Sequence, residues 1–463
     1  MATAGPPREP LVAIFGTTGT GKSDLAVDLA RRFNGEIINA DAMQMYKGLP
    51  VITNQLPVEE RRGVPHHLLA TIDPREPTWD ADIFAREAAR LICEIRSRGK
   101  LPIVVGGTHY YIHALLFEDS ILGSLYEEEA SPAQPDEEHL TQFSILNAPT
   151  DLMLKRLREV DPAMADRWHP GDRRKIRRSL QIFLSTGKRA SDIYAEQKQA
   201  RAAPDPEKDP WQALMFWVHT DPEVLQSRLD KRVDKMIERG LIAEVRALHN
   251  SRKARSEQGE VVNLTRGIWQ SIGYRQMEPF LDSEEDGASP EERTRRKEAG
   301  LERIRTGTRQ YARHQLRWIR HKTINMLRDH DALDYLFLLN SSNVDSFSAD
   351  VLEPAARLLR TFLSGQPLPD PAEVSSRAGE VLAAFRASSS PEQLTLKVET
   401  CNTCGVSVSS ADQWQKHLKG RRHQRGIRKT KRTSLIPLAP RHTSLELYSA
   451  VSFPPDGSPD TDR

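Results

Sequence analysis

The chain has 463 residues, of which 66 are Lys or Arg and 64 are Asp or Glu, for a net charge of +2. At about 150 residues per domain, this length predicts two to four domains. Three cysteines argue against a disulfide-stapled secreted protein, and no apolar run reaches the roughly 18 residues of a membrane span. Because the N-terminus has no apolar signal core, we expect a cytoplasmic protein, with nucleus and mitochondrion as open alternatives.

The first predicted element is an apolar strand over residues 11–15, followed by a glycine-rich turn and a helical repeat. Residues 16–23 fit G-x-x-x-x-G-K-[ST], in which backbone amides, a lysine and a helix N-terminus surround phosphates. The sequence therefore predicts a site for a diphosphate or triphosphate, and Ser23 is the candidate Mg2+ ligand. The predicted phosphate-binding residues are Gly16, Thr17, Thr18, Gly19, Thr20, Gly21, Lys22 and Ser23.

Two more apolar strands follow, at residues 36–39 and 102–105, with a helical repeat between them. This recurrence predicts an α/β fold: a parallel sheet with helices on both faces. Asp41 follows the second strand, where ligands of such sheets gather, although a turn or helix-cap aspartate is the commoner role. The third strand ends in Gly106-Gly107 rather than in a Mg2+-binding Asp, which disfavours motor and switch NTPases and leaves small-molecule kinases open.

Residues 119–210 are predicted to form a helical insertion domain, because an acidic, proline-containing loop is followed by helical repeats broken at Pro162 and Pro170. One repeat carries five cations within six positions, which repel each other. A phosphate-rich partner would relieve that repulsion, while a solvated helix face is the commoner explanation. The five are Arg173, Arg174, Lys175, Arg177 and Arg178.

The sheet is predicted to resume at residue 211, so the catalytic core comprises residues 11–118 and 211–330. Arg228 and Arg232 lie one helical turn apart and could reach a common anion or make surface ion pairs. A later helix mixes six arginines with Tyr311 and Trp318, which suits single-stranded nucleic acid or simply a basic surface. We assign residues 1–10 to a flexible N-terminus and residues 331–396 to a linker with some local structure.

Near the C-terminus, four residues follow the spacing C-x2-C-x12-H-x5-H, which closes a tetrahedral Zn2+ site. They are Cys401, Cys404, His417 and His423. Residues 397–432 are therefore predicted to form a C2H2 zinc finger. From residue 401 to 432 nine Lys or Arg face one Asp, which favours nucleic acid as the partner. The Ser- and Pro-rich residues 433–463 are predicted to be a disordered tail.

Together these stretches resemble the tRNA dimethylallyltransferase (tRNA isopentenyltransferase) family, in its eukaryotic form with a finger. The resemblance covers roughly residues 10–320. Three departures from the family pattern are Thr17 for Pro, Ala42 for Ser and GGTHYY for GGTGLY. The matching stretches are GTTGTGKSDLA, INADAMQMYKGL, VPHHLL, VVGGTHYY, DPAMADRWHPGDRRKIRRSL, RLDKRVDKMIERG, SIGYRQ and TGTRQYARHQLRWIR.

The resemblance implies a P-loop catalytic core that moves a dimethylallyl group from dimethylallyl diphosphate to N6 of adenosine-37 in tRNA. Asp41 would be the general base, while Lys22, Arg232 and a Mg2+ ion on Ser23 would stabilise the leaving diphosphate. Partners would be tRNA and dimethylallyl diphosphate, with no membrane, and we expect a monomer. The residues matching tRNA-contacting positions are Asp41, Ala42, Met43, Gln44, Thr108, Arg174, Lys175, Ile176, Arg177, Arg178, Gln270, Ser271, Ile272, Gly273, Tyr274 and Arg275.

Two other hypotheses remain open from the residues alone. A small-molecule kinase with a nucleic-acid-binding finger explains Lys22 and Ser23 but not the basic helices. A non-catalytic RNA-binding protein with a vestigial loop explains the basic helices but not the intact Lys22, Ser23 and Asp41. Phosphate release from ATP would favour the kinase, and salt-sensitive tRNA binding without turnover would favour the binding protein.

Overall fold

A computed structural model describes residues 5–117, 144–201, 211–284, 286–387, 399–401, 403, 407–408, 411–421, 423–425 and 427. The predictions for residues 118–143, 202–210 and 433–463, and for Cys404, lie outside these residues. The strands are β1 (Pro10–Gly16), β2 (Gly35–Asn39), β3 (His66–His67), β4 (Leu101–Gly106), β5 (Gln212–His219), β6 (Leu336–Asn340), β7 (Glu399–Thr400) and β8 (Ser407–Val408).

Helices follow most of these strands along the chain. They are α1 (Lys22–Arg32), α2 (Ala81–Ser97), α3 (His109–Leu116), α4 (Thr150–Val160), α5 (Pro162–Arg167), α6 (Arg173–Thr186), α7 (Ala190–Arg201), α8 (Pro222–Glu238), α9 (Leu241–Glu257), α10 (Tyr274–Ser283), α11 (Pro290–Trp318), α12 (Ile324–Asp329), α13 (Glu353–Leu363), α14 (Ser376–Ala387) and α15 (Ala411–Lys419). Among the described helices, none combines the length and apolar character needed to cross a bilayer.

Six parallel strands form one sheet in the order β3-β2-β4-β1-β5-β6. The predicted parallel α/β fold is therefore confirmed. Because all six strands run the same way, the segments that follow β1, β2, β4, β5 and β6 emerge at the same edge of the sheet. Parallel strands are buried on both faces, so β1 reads as an uninterrupted apolar run whose alternate residues enter two different cores.

The two cores lie on opposite faces of the sheet. Leu11, Ala13 and Phe15 of β1 join one core with α2, α3 and α8, whereas Val12 and Ile14 join the other with α1 and α13. Asp80 begins α2 by accepting hydrogen bonds from the amides of Asp82 and Ile83 at 3.0 and 2.9 Å. The cap satisfies two amides that have no partner inside the helix.

The chain divides into two compact units. The first contains the six-stranded sheet and comprises the described residues up to 117 and from 182 to 387. The second contains α4, α5, the first part of α6 and the described residues from 399 onward. In the second unit, α4 ends at Val160 and α5 begins at Pro162, with Asp161 accepting a hydrogen bond from the Met164 amide at 3.2 Å.

Two boundaries expected from the sequence are wrong. The prediction of a linker over residues 331–396 fails in its described part, residues 331–387, since β6 pairs with β5 at the edge of the sheet and its Phe337 is fully buried. Residues 8–10 do not belong to the flexible N-terminus that was predicted for residues 1–10. The Arg8 amide donates to Gln212 at 2.9 Å, the Glu9 carboxylate pairs with Arg96 at 2.9 Å, and Pro10 begins β1.

A buried carboxylate on β2 is paired with β3 and with the segment that leads into β4. Glu36 on β2 is 3% exposed and pairs with Arg98 at 2.6 Å, Lys100 at 2.8 Å and His67 at 2.7 Å. Burial alone would raise the pKa of Glu36, but the hydrogen bonds from Arg98, Lys100 and His67 outweigh it and hold the pKa at about 2. The carboxylate is thus stabilised by folding, even though burying any charge is costly.

This shift predicts a pH-dependent stability. The folded pKa lies below the ordinary value of 4.5, so the contribution of Glu36 is present above that value and is lost as the pH falls toward about 2. We expect the stability difference between the wild type and Glu36→Gln to shrink between pH 5 and pH 2.5, measured by urea unfolding at each pH. A difference that stays constant across this range would contradict the prediction.

Candidate active site

The loop between β1 and α1, residues 17–21, lies at the carboxyl edge of the sheet. We call it the glycine loop. Gly21 has φ of 86°, a left-handed conformation that side-chain-bearing residues rarely adopt. The amide of Leu25 then donates to the Gly21 carbonyl at 3.1 Å, which begins α1 directly after the turn. The strand, turn and helix predicted at this position are all present.

A cavity of about 440 Å³ opens above the glycine loop. It is lined by the loop, by the turn after β2, by the turn after β4, and by one face of α8. The lining includes Lys22, Ser23, Asp24, Asp41, Gln44, Gly106, Gly107, Arg228, Arg232, Lys235, Arg239 and Gln315. The structure therefore brings together the glycine loop, Asp41, Gln44 and the two predicted arginines, which come from distant parts of the chain.

Cations dominate one wall of this cavity. Arg232 Nη1 donates to Thr18 Oγ1 at 2.5 Å, and Lys22 Nζ donates to the Thr17 carbonyl at 2.6 Å. Within the described part of the chain, the Nε atoms of Arg228 and Arg232 are buried without a hydrogen-bond partner. Buried donors without partners are costly, so these two arginines carry unsatisfied hydrogen-bonding capacity beside the cavity.

The charges of the cavity perturb each other. Burial lowers the pKa of Lys22 to about 8, an effect that Asp41 opposes and Arg232 reinforces. Burial also lowers the pKa of Arg232 to about 10 and raises that of Asp41, which Lys22 opposes. These three side chains keep some contact with solvent at the cavity wall, but protein surrounds them elsewhere. Such perturbed groups converging in one cavity are typical of active sites.

The turn after β2 orients Asp41. Its Oδ1 accepts from the Met43 amide at 3.1 Å, and its own amide donates to Asn39 Oδ1 at 3.3 Å. Thr108, at the start of α3, accepts from the Ala42 amide at 2.9 Å. Backbone groups therefore hold Asp41 in this turn, and Thr108 joins the turn to the segment between β4 and α3. Both residues were predicted from the sequence as site residues, and they lie together.

Sequence reasoning missed Gln315 on α11. This side chain is 4% exposed; its Oε1 accepts from the Thr18 amide at 2.8 Å, and its Nε2 donates to the Gly107 carbonyl at 2.9 Å. It joins the glycine loop to the turn after β4. Gly107 permits this contact, because a Cβ there would lie 2.5 Å from Gln315 Nε2. No local pattern singled it out, because other neutral residues, Gln310 among them, occur in the same helix.

Four arginines in the second half of α11 form two groups. Arg305 pairs with Asp234 at 2.7 Å, and Arg309 pairs with Asp230 at 3.2 Å, so both hold α11 against α8. Arg313 and Arg317 are exposed, and no acidic partner is found for them among the described residues. The predicted basic helix thus has one packed side and one side open to solvent.

Aromatic side chains of α11 also lie near the site. Tyr311 is 37% exposed, and its phenol lies beside the side chains of Gln315 and Thr108, close to the charge of Asp41. Trp318, two turns further along α11, contacts the exposed Tyr110 edge-to-face at 6.3 Å between ring centroids. The exposed side of the helix therefore combines cations with accessible rings.

Several residues predicted to contact tRNA prove to be buried. Ile176 and Tyr274 are fully buried and Ser271 is 3% exposed, so these side chains serve packing and cannot contact RNA. Gly273, also buried, starts α10. Of that segment Gln270 and Arg275 are exposed, while Ile272 is half-buried.

In the second unit, the predicted basic run begins α6. Arg174 and Lys175 are exposed, and Lys175 pairs with Asp172 at 3.1 Å. Arg177, half-buried, donates from Nε to the Leu146 carbonyl at 3.2 Å, and Arg178 is half-buried too. The run is therefore a mixture of exposed cations and cations that fasten α6 to the preceding segment.

Three of the four predicted zinc ligands converge in the same unit. One ligand atom each from Cys401, His417 and His423 lies within 4.8 Å of the others, and Cys401 Sγ is 3.3 Å from His423 Nδ1. Cys401 is 3% and His423 6% exposed. A thiolate with two imidazoles is the donor set that a structural Zn2+ ion prefers.

The parallel sheet, with a cationic cavity beside the glycine loop at its carboxyl edge, defines a parallel α/β protein with a candidate anion site. Family models agree and go further: one described as IPP transferase matches residues 44–322, one described as isopentenyl transferase matches residues 10–65, and a zinc finger of C2H2 type matches residues 400–423. The similarity therefore extends from the glycine loop through α11, and it includes the finger.

Relatives match nearly the whole chain. The chain is 37% identical to a tRNA dimethylallyltransferase of Schizosaccharomyces pombe, over 91% of this chain and 96% of that protein. A human tRNA dimethylallyltransferase is 33% identical, over 91% and 87%. The solved structure of a eukaryotic dimethylallyltransferase acting on tRNA matches with a TM-score of 0.75 and 30% identity, over 92% of this chain and 98% of that one. This chain belongs to the tRNA dimethylallyltransferase family, which confirms the resemblance seen in the sequence.

The bridging position of Gln315 predicts a binding defect. Gln315→Leu leaves the Thr18 amide and the Gly107 carbonyl without partners, each at a cost of about 1–3 kcal/mol. We expect affinity for inorganic diphosphate with Mg2+ to fall by roughly tenfold or more, measured by titration calorimetry. The control is Gln310→Leu, on an exposed position of the same helix. Equal affinities for the two variants would contradict the bridging role.

Proposed function

We propose that this protein transfers a dimethylallyl group from dimethylallyl diphosphate to N6 of adenosine-37, the nucleoside on the 3′ side of the anticodon, giving N6-isopentenyladenosine in tRNA. The observation that carries the proposal is the presence of Asp41 in one cavity with Lys22 and Arg232. One side of the reaction releases a diphosphate and needs cations. The other side releases a proton from the adenine amine and needs a base.

The glycine loop and its neighbours suit the leaving group. As the bond between C1 of the dimethylallyl group and the diphosphate oxygen breaks, negative charge grows on that oxygen. Lys22 and Arg232, with the amides of the loop, would stabilise this charge in a cavity where little water competes. Ser23 and Asp24 both line the cavity, and their oxygens fit Mg2+, which when bound would neutralise further charge on the diphosphate.

Asp41 suits the acceptor. As N6 of the adenosine bonds to C1, the nitrogen must lose a proton, and a carboxylate within reach can accept it. Burial raises the pKa of Asp41, which moves it toward the neutral range where a base is most effective. Because N6 is inaccessible in a stacked base, the target adenosine must leave its stack to enter the cavity. Gln44 lines the cavity and would contact the base there, while Thr108 and Tyr311 lie beside the Asp41 turn and would contact it as it enters.

The relatives do not favour the two alternatives. Relatives from Schizosaccharomyces pombe, Saccharomyces cerevisiae and human, which match over 91% of this chain, are all named tRNA dimethylallyltransferases. For this chain, the finger is proposed to hold Zn2+ through Cys401, Cys404, His417 and His423, which would stabilise a basic module for RNA. Compartment and oligomeric state remain the expectations stated from the sequence.

Mass spectrometry tests the reaction directly. An unmodified tRNA carrying adenosines on the 3′ side of its anticodon is incubated with the protein, Mg2+ and dimethylallyl diphosphate. We expect a mass gain of one C5 unit on adenosine-37, abolished in Asp41→Ala and Lys22→Ala. Because Asp41 acts on a proton and not on RNA affinity, tRNA binding by Asp41→Ala stays within a few-fold of wild type. Consumption of ATP without a mass gain would overturn the proposal in favour of a kinase.

The two groups of arginines on α11 predict different salt responses. If the exposed Arg313 and Arg317 each contact a phosphate, changing both to Gln lowers the slope of log affinity against log salt by about 1.4. Changing Arg305 and Arg309 to Gln removes the same charge, but these side chains are already paired with α8. We therefore expect a smaller change of slope in this control, measured by filter binding of tRNA. The same change in both variants would contradict the assignment.

A further inference from the structure

The segment that follows β6, residues 341–347, contacts residues that line the cavity above the glycine loop. We call it the C-terminal bracket. It lies beyond residue 322, where the match to the IPP transferase family model ends, and the sequence placed it in a linker. Two independent contacts join it to the cavity, one through Arg228 and one through the glycine loop.

The first contact fixes a cation. Arg228 Nη2 donates to the carbonyls of Ser341 at 2.6 Å and Ser342 at 2.9 Å. The bracket is itself anchored to the end of β5, because the hydroxyls of Thr220 and Ser341 are 2.7 Å apart and the Asp221 amide donates to Ser342 Oγ at 2.9 Å. Nη2 of Arg228 is thus hydrogen-bonded to the bracket, while its buried Nε has no partner among the described residues.

The second contact restrains the glycine loop. A Cβ on Gly21 would lie 2.7 Å from Cε2 and 2.8 Å from Cζ of Phe347, so the phenyl ring rests on the backbone of this glycine. Gly21 is the left-handed residue immediately before Lys22. Phe347 also packs against the apolar core beneath α1. If the glycine loop moved toward the bracket, it would therefore clash with the ring of Phe347.

We propose that the C-terminal bracket positions the cavity for a prenyl diphosphate, by orienting Arg228 and by restraining Gly21. This inference rests on the proposed function for the identity of the donor. Cations and amides that are already ordered bind an anion more tightly, because less conformational entropy is lost when the anion binds. Phe347 is thus a positioning residue that acts through the loop and does not touch the diphosphate.

The test compares Phe347→Ala with Val344→Ala, an exposed position in the same segment. Titration calorimetry measures affinity for inorganic diphosphate with Mg2+, and filter binding measures affinity for tRNA. We expect Phe347→Ala to weaken diphosphate binding by about tenfold and to raise the KM for dimethylallyl diphosphate similarly. Affinity for tRNA should stay within about twofold of wild type, and Val344→Ala should match wild type in every assay. Phe347→Tyr, which keeps the ring, should restore diphosphate binding.

Either of two results overturns the proposal. One is a diphosphate affinity of Phe347→Ala within twofold of wild type, and the other is an equal loss of diphosphate and tRNA affinity, which indicates general destabilisation. If Phe347→Ala does not fold, Phe347→Leu is judged by the same two criteria. Diphosphate binding is independent of turnover, so a wild type that binds diphosphate without transferring a C5 unit would contradict the proposed function and leave the bracket intact.

Discussion

The confinement of Lys22, Arg232 and Asp41 within one cavity is the interaction on which the rest of the structure depends. Burial lowers the pKa of both cations and raises that of the carboxylate. Asp41 offsets part of this cost for each cation, and both cations offset part of it for Asp41, whereas Arg232 adds to the cost of charging Lys22. The cavity holds more cationic than anionic side chains close to the glycine loop, so a bound diphosphate would complete the balance. A reaction that releases diphosphate and a proton needs both kinds of group side by side.

Keeping these groups together requires elements from across the chain. The parallel sheet places the glycine loop, the Asp41 turn and Gly107 at one edge, while α8 supplies Arg228 and Arg232. Helix α11 holds these elements together. Its Arg305 and Arg309 pair with α8, and Gln315 joins the glycine loop to the turn after β4. These hydrogen bonds and ion pairs hold the glycine loop, the turn after β4 and α8 in place without a bound ligand.

Much of this was predictable because the patterns involved are local. The glycine loop between strand and helix, Asp41 beyond β2 and the spacing of the finger ligands could all be read over short windows. Burial was not readable in this way. Ile176 and Tyr274 lie inside stretches matched to RNA contacts, yet both side chains are in the core. β6 escaped notice because its five residues stand among Ser and Asp, and only pairing with β5 makes them a strand.

The proposed function requires the cavity to hold the donor diphosphate with its reactive carbon facing Asp41. A crystal structure with Mg2+ and an unreactive thiolo analogue of dimethylallyl diphosphate measures this directly. We expect the diphosphate within hydrogen-bonding distance of Lys22, Arg232 and the amides of the glycine loop, with the dimethylallyl C1 between the diphosphate and Asp41. An analogue bound elsewhere, or one whose C1 points away from Asp41, would contradict it.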